Sequence, residues 1–327
     1  GRAANLNAVG IVHYLRGDFE RAQPLLEEAL VLHQSTGNLK SAGRVAANIG
    51  HLHAAVSRHA EALARYEQAA ALGEKAGDDA GMATAKDGVG NVLQVQGRYR
   101  EAIAAFEESL RWADRAGDEQ SRAITLNNLA NSQLEAGNTQ AALEGYLSAA
   151  QSFEKLNLPL YQAQAYANIA PILAGQGMLD QGRVYLERAL AIREKALGPD
   201  HPSVASTLCR LAVIHAEAGR YEEAETLHRR ALAIREKALG PHHPDVATSL
   251  NNLAALYFSE KEYAKAEPLL VRAIGISEKA FGPDHPEVAT SLRNLAALYR
   301  RTGRKAKAAA LDERAAAIRA ANPAAKR

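Results

Sequence analysis

An internal repeat of about 40 residues constrains this chain more than any other feature of its sequence. Each unit has two apolar-periodic segments separated by one turn position, as in two helices joined by a tight turn. The sequence therefore predicts eight helical hairpins, or about sixteen helices. The turn positions are Gly17, Ser57, Gly97, Gly137 and Gly177, at a spacing of 40, and then Gly219, Lys261 and Gly303, at a spacing of 42.

Two positions in every unit carry only small side chains. Because a larger side chain would force two helix axes apart, we expect the helices of each hairpin to approach closely there. The pattern predicts an all-α array with no central core. Seven residues before the turns lie Gly10, Gly50, Gly90, Ala130, Ala170, Ala212, Ala254 and Ala296, and five residues after them lie Ala22, Ala62, Ala102, Ala142, Gly182, Ala224, Ala266 and Ala308.

The linkers between units are of two kinds. The early ones place Gly37, Gly77, Gly117 and Asn157 where a helix needs a left-handed C-terminal cap. The later ones read LGPDHP, LGPHHP and FGPDHP, with a glycine that ends one helix and a proline that opens the next. With no shift in composition along the chain, we predict a single array over residues 1–327, with period 40 in 1–197, period 42 in 198–321, and a tail at 322–327.

Composition limits the compartment and the partners. No apolar stretch is long enough for a membrane span, and the first residues carry no signal-peptide pattern. The single cysteine, Cys209, excludes an intramolecular disulfide and fits a reducing compartment. We therefore expect a soluble, cytoplasmic protein that does not bind membranes.

The net charge of +2 is unevenly distributed. Residues 299–327 hold nine Lys or Arg against Asp312 and Glu313, which gives +7 for this segment and −5 for the preceding one. Such a basic end either forms a solvated terminal helix or attracts nucleic acid or an acidic partner. The sequence lacks the interleaved aromatic residues that single-strand recognition uses, which disfavours nucleic acid.

No constellation of residues predicts catalysis. Cys209 and His215 lie six residues apart on one predicted helix and therefore point in different directions. His201, His243 and His285 recur in the linkers, one hairpin apart, which is too far for one metal ion. The glycines at 88 and 90 lie inside a predicted helix and form no phosphate loop. We predict no catalytic residue, no cofactor and no metal.

The repeat motif resembles a known family. Its clearest copy fits the tetratricopeptide pattern, and residues 183–300, with ALAIREKALGPDHP and SLNNLAALY, resemble kinesin light chain repeats. This resemblance to a long-repeat tetratricopeptide array implies a right-handed α-solenoid. The residues that carry the motif in that copy are Leu250, Leu253, Ala254, Tyr257, Ala266, Leu270 and Ala273.

The resemblance also implies that the first helix of each hairpin lines a concave groove, with ligand contacts ten, nine and six residues before the turn. Asparagine recurs at these positions, either to bond neighbouring repeats together or to pair with the backbone of a bound peptide. We predict a peptide-binding surface of Asn48, Asn91, Asn127, Asn128, Asn131, Asn168, Arg210, Asn251, Asn252, Arg293 and Asn294.

One part of this surface is similar to the clamp with which some tetratricopeptide proteins hold a C-terminal carboxylate. Asn131, Asn168 and Arg210 match the clamp positions, whereas Asn127 and Ser206 stand where the family has lysines. The loss of two positive charges predicts weaker carboxylate binding with less dependence on salt.

We therefore expect a non-catalytic scaffold that holds an extended or helical segment of a partner protein. Two alternatives are a sensor region of a larger ATPase, protease or transcription regulator, and a nucleic-acid binder that uses the basic C-terminal face. We also expect self-association, or contact with a further domain, through an array end, because Leu311, Ala315 and Ile318 have no predicted helix to cover them.

Overall fold

A computed structural model describes residues 1–322 of the chain. These residues form sixteen α-helices and no strand, which confirms the predicted eight hairpins. The helices are α1 (Arg2–Leu15), α2 (Phe19–Ser35), α3 (Leu39–Ala55), α4 (His59–Ala76), α5 (Asp79–Val95), α6 (Tyr99–Ala116), α7 (Glu119–Glu135), α8 (Thr139–Lys155), α9 (Pro159–Gly175), α10 (Leu179–Leu197), α11 (Pro202–Glu217), α12 (Tyr221–Leu239), α13 (Pro244–Ser259), α14 (Tyr263–Phe281), α15 (Pro286–Arg301) and α16 (Lys305–Ala321).

The chain groups into two compact units, with a boundary inside α9 between Ala165 and Tyr166. Unit 1 holds α1 to α8 and unit 2 holds α10 to α16. In each unit the odd-numbered first helices of successive hairpins contact one another, whereas the even-numbered second helices approach one another less closely. The first helices therefore lie on the inner side of each unit. The single array over residues 1–327 stays a prediction, and its tail lies, apart from Asn322, outside the described residues.

The turn positions adopt the backbone conformation that the sequence predicts. All eight have a positive φ, including the non-glycine residues Ser57 (59°) and Lys261 (63°). The caps in the early linkers also have left-handed backbone conformations, including the non-glycine Asn157, whose φ is 54°. An asparagine tolerates this region better than most residues, which explains how it replaces glycine there.

Close helix contact explains the small-residue positions. A Cβ atom on Gly50 would lie 2.7 Å from the Tyr66 ring, and one on Gly90 would lie 2.5 Å from the Phe106 ring. Unit 1 thus uses glycine where a buried aromatic ring packs against the first helix. In the fourth hairpin the glycine position holds Ala130, and the glycine is instead on the facing helix, at Gly145. A Cβ atom added to Gly145 would lie 3.0 Å from the Cβ atom of Ala130. The predicted register of close approach is confirmed.

The later linkers cap helices at both ends. Gly198 has φ 87° and ψ 158°, a conformation that is essentially restricted to glycine. His201 then caps α11, because its Nδ1 accepts a hydrogen bond from the Ser203 amide at 3.1 Å. His243 and His285 cap α13 and α15 in the same way. These histidines, which the sequence analysis attributed only to the linker motif, are helix caps.

Buried arginines tie the hairpins of unit 2 together. Arg193 donates from Nη1 to Thr207 Oγ1 (2.7 Å), and Arg235 donates likewise to Ser249 Oγ (2.8 Å), each on the following first helix. The next repeat has Ser277 in place of the arginine. There, the corresponding hydroxyl of Ser291 accepts a hydrogen bond from Asn251 Nδ2 at 2.9 Å. The amide of Asn251, on the preceding first helix, therefore bonds to the hydroxyl that takes the place of the arginine's partner in the other two repeats.

The prediction of an uncovered apolar face at the C-terminal end was wrong. Ala315 and Ile318 are buried against Val288, Ala289 and Leu292 of α15, and Leu311 packs beside them. An amphipathic last helix turns its apolar side toward the preceding helix and leaves polar residues outside. These side chains therefore offer no basis for self-association.

Candidate functional site

The predicted binding residues all lie on first helices, and they are divided between the units. Those from Asn48 to Asn131 belong to unit 1, and those from Asn168 to Asn294 belong to unit 2. We call the positions ten, nine and six residues before each turn the inner face. Within each unit, its residues follow one another from hairpin to hairpin and do not converge on one point, which suits an elongated ligand better than a compact one.

Several inner-face amides bond neighbouring repeats, as one of the two interpretations of the asparagines predicts. Asn48 Nδ2 donates to Asn7 Oδ1 on the preceding first helix at 3.0 Å. Asn251 bonds Ser291 on the following first helix. Part of the asparagine pattern therefore holds the stack of hairpins together.

Asp87 is the centre of a network that the sequence analysis did not include in the site. Its carboxylate accepts hydrogen bonds from Asn91 Nδ2 (2.8 Å), Thr125 Oγ1 (3.0 Å) and Asn128 Nδ2 (3.2 Å). Burial raises the pKa of Asp87, and these hydrogen bonds work against that rise. The three side chains that donate these hydrogen bonds to Asp87 are all uncharged. The network joins α5 to α7 and orients two of the predicted binding asparagines.

An aromatic contact lies beside this network. Tyr66 bonds His51 Nδ1 through its hydroxyl at 2.7 Å, and burial lowers the pKa of His51. The ring also packs on Gly88, where an added Cβ would come within 2.3 Å. The glycine pair inside α5 is thus explained by two buried rings, Tyr66 and Phe106. In the next hairpin Tyr146 donates its hydroxyl hydrogen to Asn131 Oδ1 at 2.5 Å.

Cys209 occupies an inner-face position but is buried, with 6% of its surface exposed. Burial raises the pKa of its thiol, while contacts with Ser249 and Asn252 act in the opposite direction. A thiol with a raised pKa is a poor nucleophile. Cys209 therefore packs between hairpins, and Asn252 contacts it from the neighbouring first helix.

Three inner-face amides keep unused hydrogen-bonding capacity. Within the described residues, Asn127 Oδ1 and Asn251 Oδ1 are buried and have no partner. Both belong to the position ten residues before the turn. Asn294 is exposed, and its amide makes no hydrogen bond to any residue that the structure describes. The two buried oxygens are out of reach of a ligand in this conformation, whereas the exposed amide of Asn294 can pair with a ligand that brings N–H or C=O groups.

Arg210 compensates for a proline in the neighbouring helix. Pro171 lies inside α9 and has no N–H to donate to the carbonyl of Ala167, four residues earlier. Arg210 Nη1 donates to that carbonyl oxygen at 2.7 Å. Ala167 is only 1% exposed, so water does not readily replace this donor. Arg210 is therefore first of all a bridge between the inner faces of α9 and α11.

A cavity of about 720 Å³ lies beside this bridge, within unit 2. Arg210, Val213 and Glu217 form a stripe along α11 on one side of it. The other wall is α9, and α10 closes the bottom. The remaining lining residues are Pro171, Ala174, Gly175, Gly177, Leu179, Leu186 and Ile214. This cavity was not predicted from the sequence, although a proline inside a helical pattern is the signal that marks its wall.

The last hairpin places Arg293 and Asn294 on the exposed surface. Burial lowers the pKa of Arg293, and the positive charge of Arg319 lowers it further. Several basic residues of this end form ion pairs, such as Arg304 with Glu267 (2.8 Å) and Arg314 with Glu278 (2.7 Å). Part of the positive charge that the sequence concentrates in residues 299–327 is therefore neutralised locally.

Residues 1–322 contain neither a cluster of metal-ligating side chains nor a helix that could span a membrane. No group of three or more His, Cys, Asp or Glu side chains in this part of the chain is arranged to hold a metal ion. None of its helices combines the length and the apolar character needed to cross a membrane.

Comparison with known proteins finds relatives of the same repeat type. One curated relative, Nephrocystin-3 of Xenopus tropicalis, is 39% identical over 74 residues, which are 23% of this chain and 5% of that protein. The chain thus spans a small fraction of the length of the curated relatives it matches.

Two solved structures are similar over more of the chain. The crystal structure of BtubC (BKLC) from P. vanneervenii has a TM-score of 0.60 and 26% identity, and the match covers 68% of this chain and 91% of that one. A putative kinesin light chain with nearly identical repeats, from Podosopora anserina, has a TM-score of 0.52 and 27% identity, over 61% and 95% of the two chains.

The family profile described as Tetratricopeptide repeat matches residues 1–75, 81–155, 161–237, 203–279 and 245–321. Together these matches include all eight hairpins described above, apart from a few residues at linkers and helix ends. With its paired helices, its small-residue contacts and its kinesin light chain-like neighbours, the chain belongs to the tetratricopeptide repeat family.

Proposed function

We propose that this chain is a non-catalytic, cytoplasmic scaffold that holds an extended or helical segment of a partner protein on the inner faces of its first helices. Tetratricopeptide folds generally mediate protein–protein interactions. On this proposal the whole of residues 1–327 forms one array, and the predicted binding residues from Asn48 to Asn294 contact the segment. The partner is a protein or peptide, with no cofactor.

The observation that carries the proposal is an exposed inner-face amide with unused hydrogen-bonding capacity. Asn294 is exposed on α15, and its amide makes no hydrogen bond within residues 1–322. A peptide backbone offers N–H and C=O groups at regular spacing and would pair with such an amide. Other inner-face asparagines, such as Asn48, bond neighbouring repeats, so the two roles are compatible on one face.

Site-directed photo-cross-linking in the source cell tests the proposal. A photoreactive amino acid replaces Asn294, on the inner face, or Val271, which is 52% exposed on the second helix α14. The proposal predicts that the inner position captures a partner protein and that the outer position captures it far less. Equal capture from both positions, or capture only from the outer one, would contradict it.

A further inference from the structure

The cavity beside Arg210 has charged side chains of opposite sign at its two ends. Arg210 and Glu217 stand seven residues apart on α11, which corresponds to about 10 Å along the helix. Val213, 44% exposed, lies between them and forms the apolar wall. The cavity thus presents a positive end, an apolar centre and a negative end.

Neither charge is neutralised by an ion pair within residues 1–322. Arg210 donates one N–H to the neutral carbonyl of Ala167, and its other N–H groups have no recorded partner there. Glu217 is exposed and forms no ion pair or hydrogen bond with the described residues. Both groups are therefore available to a ligand of complementary charge.

We propose that this cavity takes one aliphatic or aromatic side chain of an extended partner segment, with an acidic residue of that segment at Arg210 and a basic residue at Glu217. The inference rests on the proposed function and adds the chemistry of one subsite. It also fixes the direction of the segment along α11, because reversal of the segment would place like charges together.

The distances suit an extended peptide. Residues two apart on one face of an extended chain are separated by about 6.6 to 7 Å, so residues on either side of the apolar one span roughly 7 to 14 Å. The separation of about 10 Å between the two ends of the cavity falls within this range. A small apolar molecule would occupy only the apolar centre and leave both charges unpaired.

The pocket-filling variant is Gly175→Leu. A Cβ atom on Gly175 meets no heavy atom within 4 Å, so the leucine fits on the helix and occupies the cavity mouth. Gly275→Leu is the matched control, because Gly275 is also an exposed helical glycine with open space around its Cβ and lies on α14, away from the cavity. Glu217→Lys reverses one charge at an exposed position without removing an ion pair.

A phage-displayed library of random linear peptides is selected against the full chain. We expect the enriched peptides to carry an apolar residue with an acidic residue on one side and a basic residue on the other. Gly175→Leu should lower the affinity of the protein for these peptides at least about tenfold. Gly275→Leu should change this affinity less than about twofold. Selection on the Glu217→Lys protein should replace the basic residue by an acidic one.

Two results would overturn this inference: enriched peptides that bind Gly175→Leu as well as wild type, or an unchanged charge pattern after selection on Glu217→Lys. If such peptides are instead lost with Asn294→Ala, another part of the inner face binds them and the proposed function stands. Binding that only second-helix substitutions abolish would overturn both.

Discussion

Replacement of Arg210 by methionine should loosen the second half of α9. Methionine keeps most of the side-chain length but removes the donor to Ala167 O, and Pro171 leaves that carbonyl with no helical partner. A hydrogen bond from a charged group contributes about 1.5 to 3 kcal/mol. Because Arg210 itself is exposed and its charge is screened, we expect a loss of about 1 to 2 kcal/mol in local stability.

Hydrogen exchange measured by mass spectrometry on fragments that cover residues 166–175 reports this local stability. A loss of about 1 to 2 kcal/mol corresponds to roughly 5 to 30 times faster exchange when local opening controls it. Arg301→Met serves as the control, because Arg301 is an exposed arginine on a first helix with no recorded hydrogen bond or ion pair to the described residues.

A double-mutant cycle with Pro171→Ala isolates the interaction. Alanine restores an N–H that can donate to Ala167 O within α9, so Arg210→Met should then cost less than about 0.5 kcal/mol. If the arginine substitution accelerates exchange equally in both backgrounds, or in neither, the carbonyl does not depend on Arg210 and the reasoning fails.

Three further predictions concern stability, each measured by urea denaturation. Ala254→Leu overpacks a position that is 1% exposed and should cost about 1 to 3 kcal/mol, and an unchanged midpoint would mean that the repeat register is wrong. His243→Ala should lose about 1 kcal/mol through loss of the α13 cap, whereas His243→Asn should lose less, and equal losses would argue against capping. Because the pKa of Asp87 is raised in the folded chain, its ionisation should lower the free energy of unfolding as pH rises from about 4. Asp87→Asn should remove this pH dependence. Identical pH profiles of stability for the variant and the wild type would refute the prediction.

The fold was predictable because its signals are local and repeated. The turn at Gly17 and the small residue at Gly50 each follow from backbone geometry or helix approach, and eight copies of each signal reinforce one another. The inner face was assigned by the tetratricopeptide resemblance and not by spacing, and the binding role of its residues stays a prediction. The C-terminal end was harder, because Ile318 could be assigned to a helix but not to the side of it that α15 covers.

The details of the candidate site depend on contacts between residues far apart in the chain. The bond from Arg210 to Ala167 and the network around Asp87 join different helices, and no local pattern specifies which donor meets which acceptor. The role of His201 as a cap depends on the orientation of its ring. Pro171 was the one visible clue, since a proline inside a helix leaves a carbonyl that another group must satisfy.

The central claim, that the inner face holds a partner segment, is tested most directly by the affinity of a captured segment for single alanine variants. Asn127→Ala and Asn294→Ala remove inner-face amides that make no recorded hydrogen bond within residues 1–322, so the fold should not change. Gln151→Ala removes an exposed amide from the second helix α8 as the control. We predict a loss of about 1 to 3 kcal/mol in binding for at least one inner variant and none for Gln151→Ala. Normal binding by both inner variants, with a loss for Gln151→Ala, would contradict the claim.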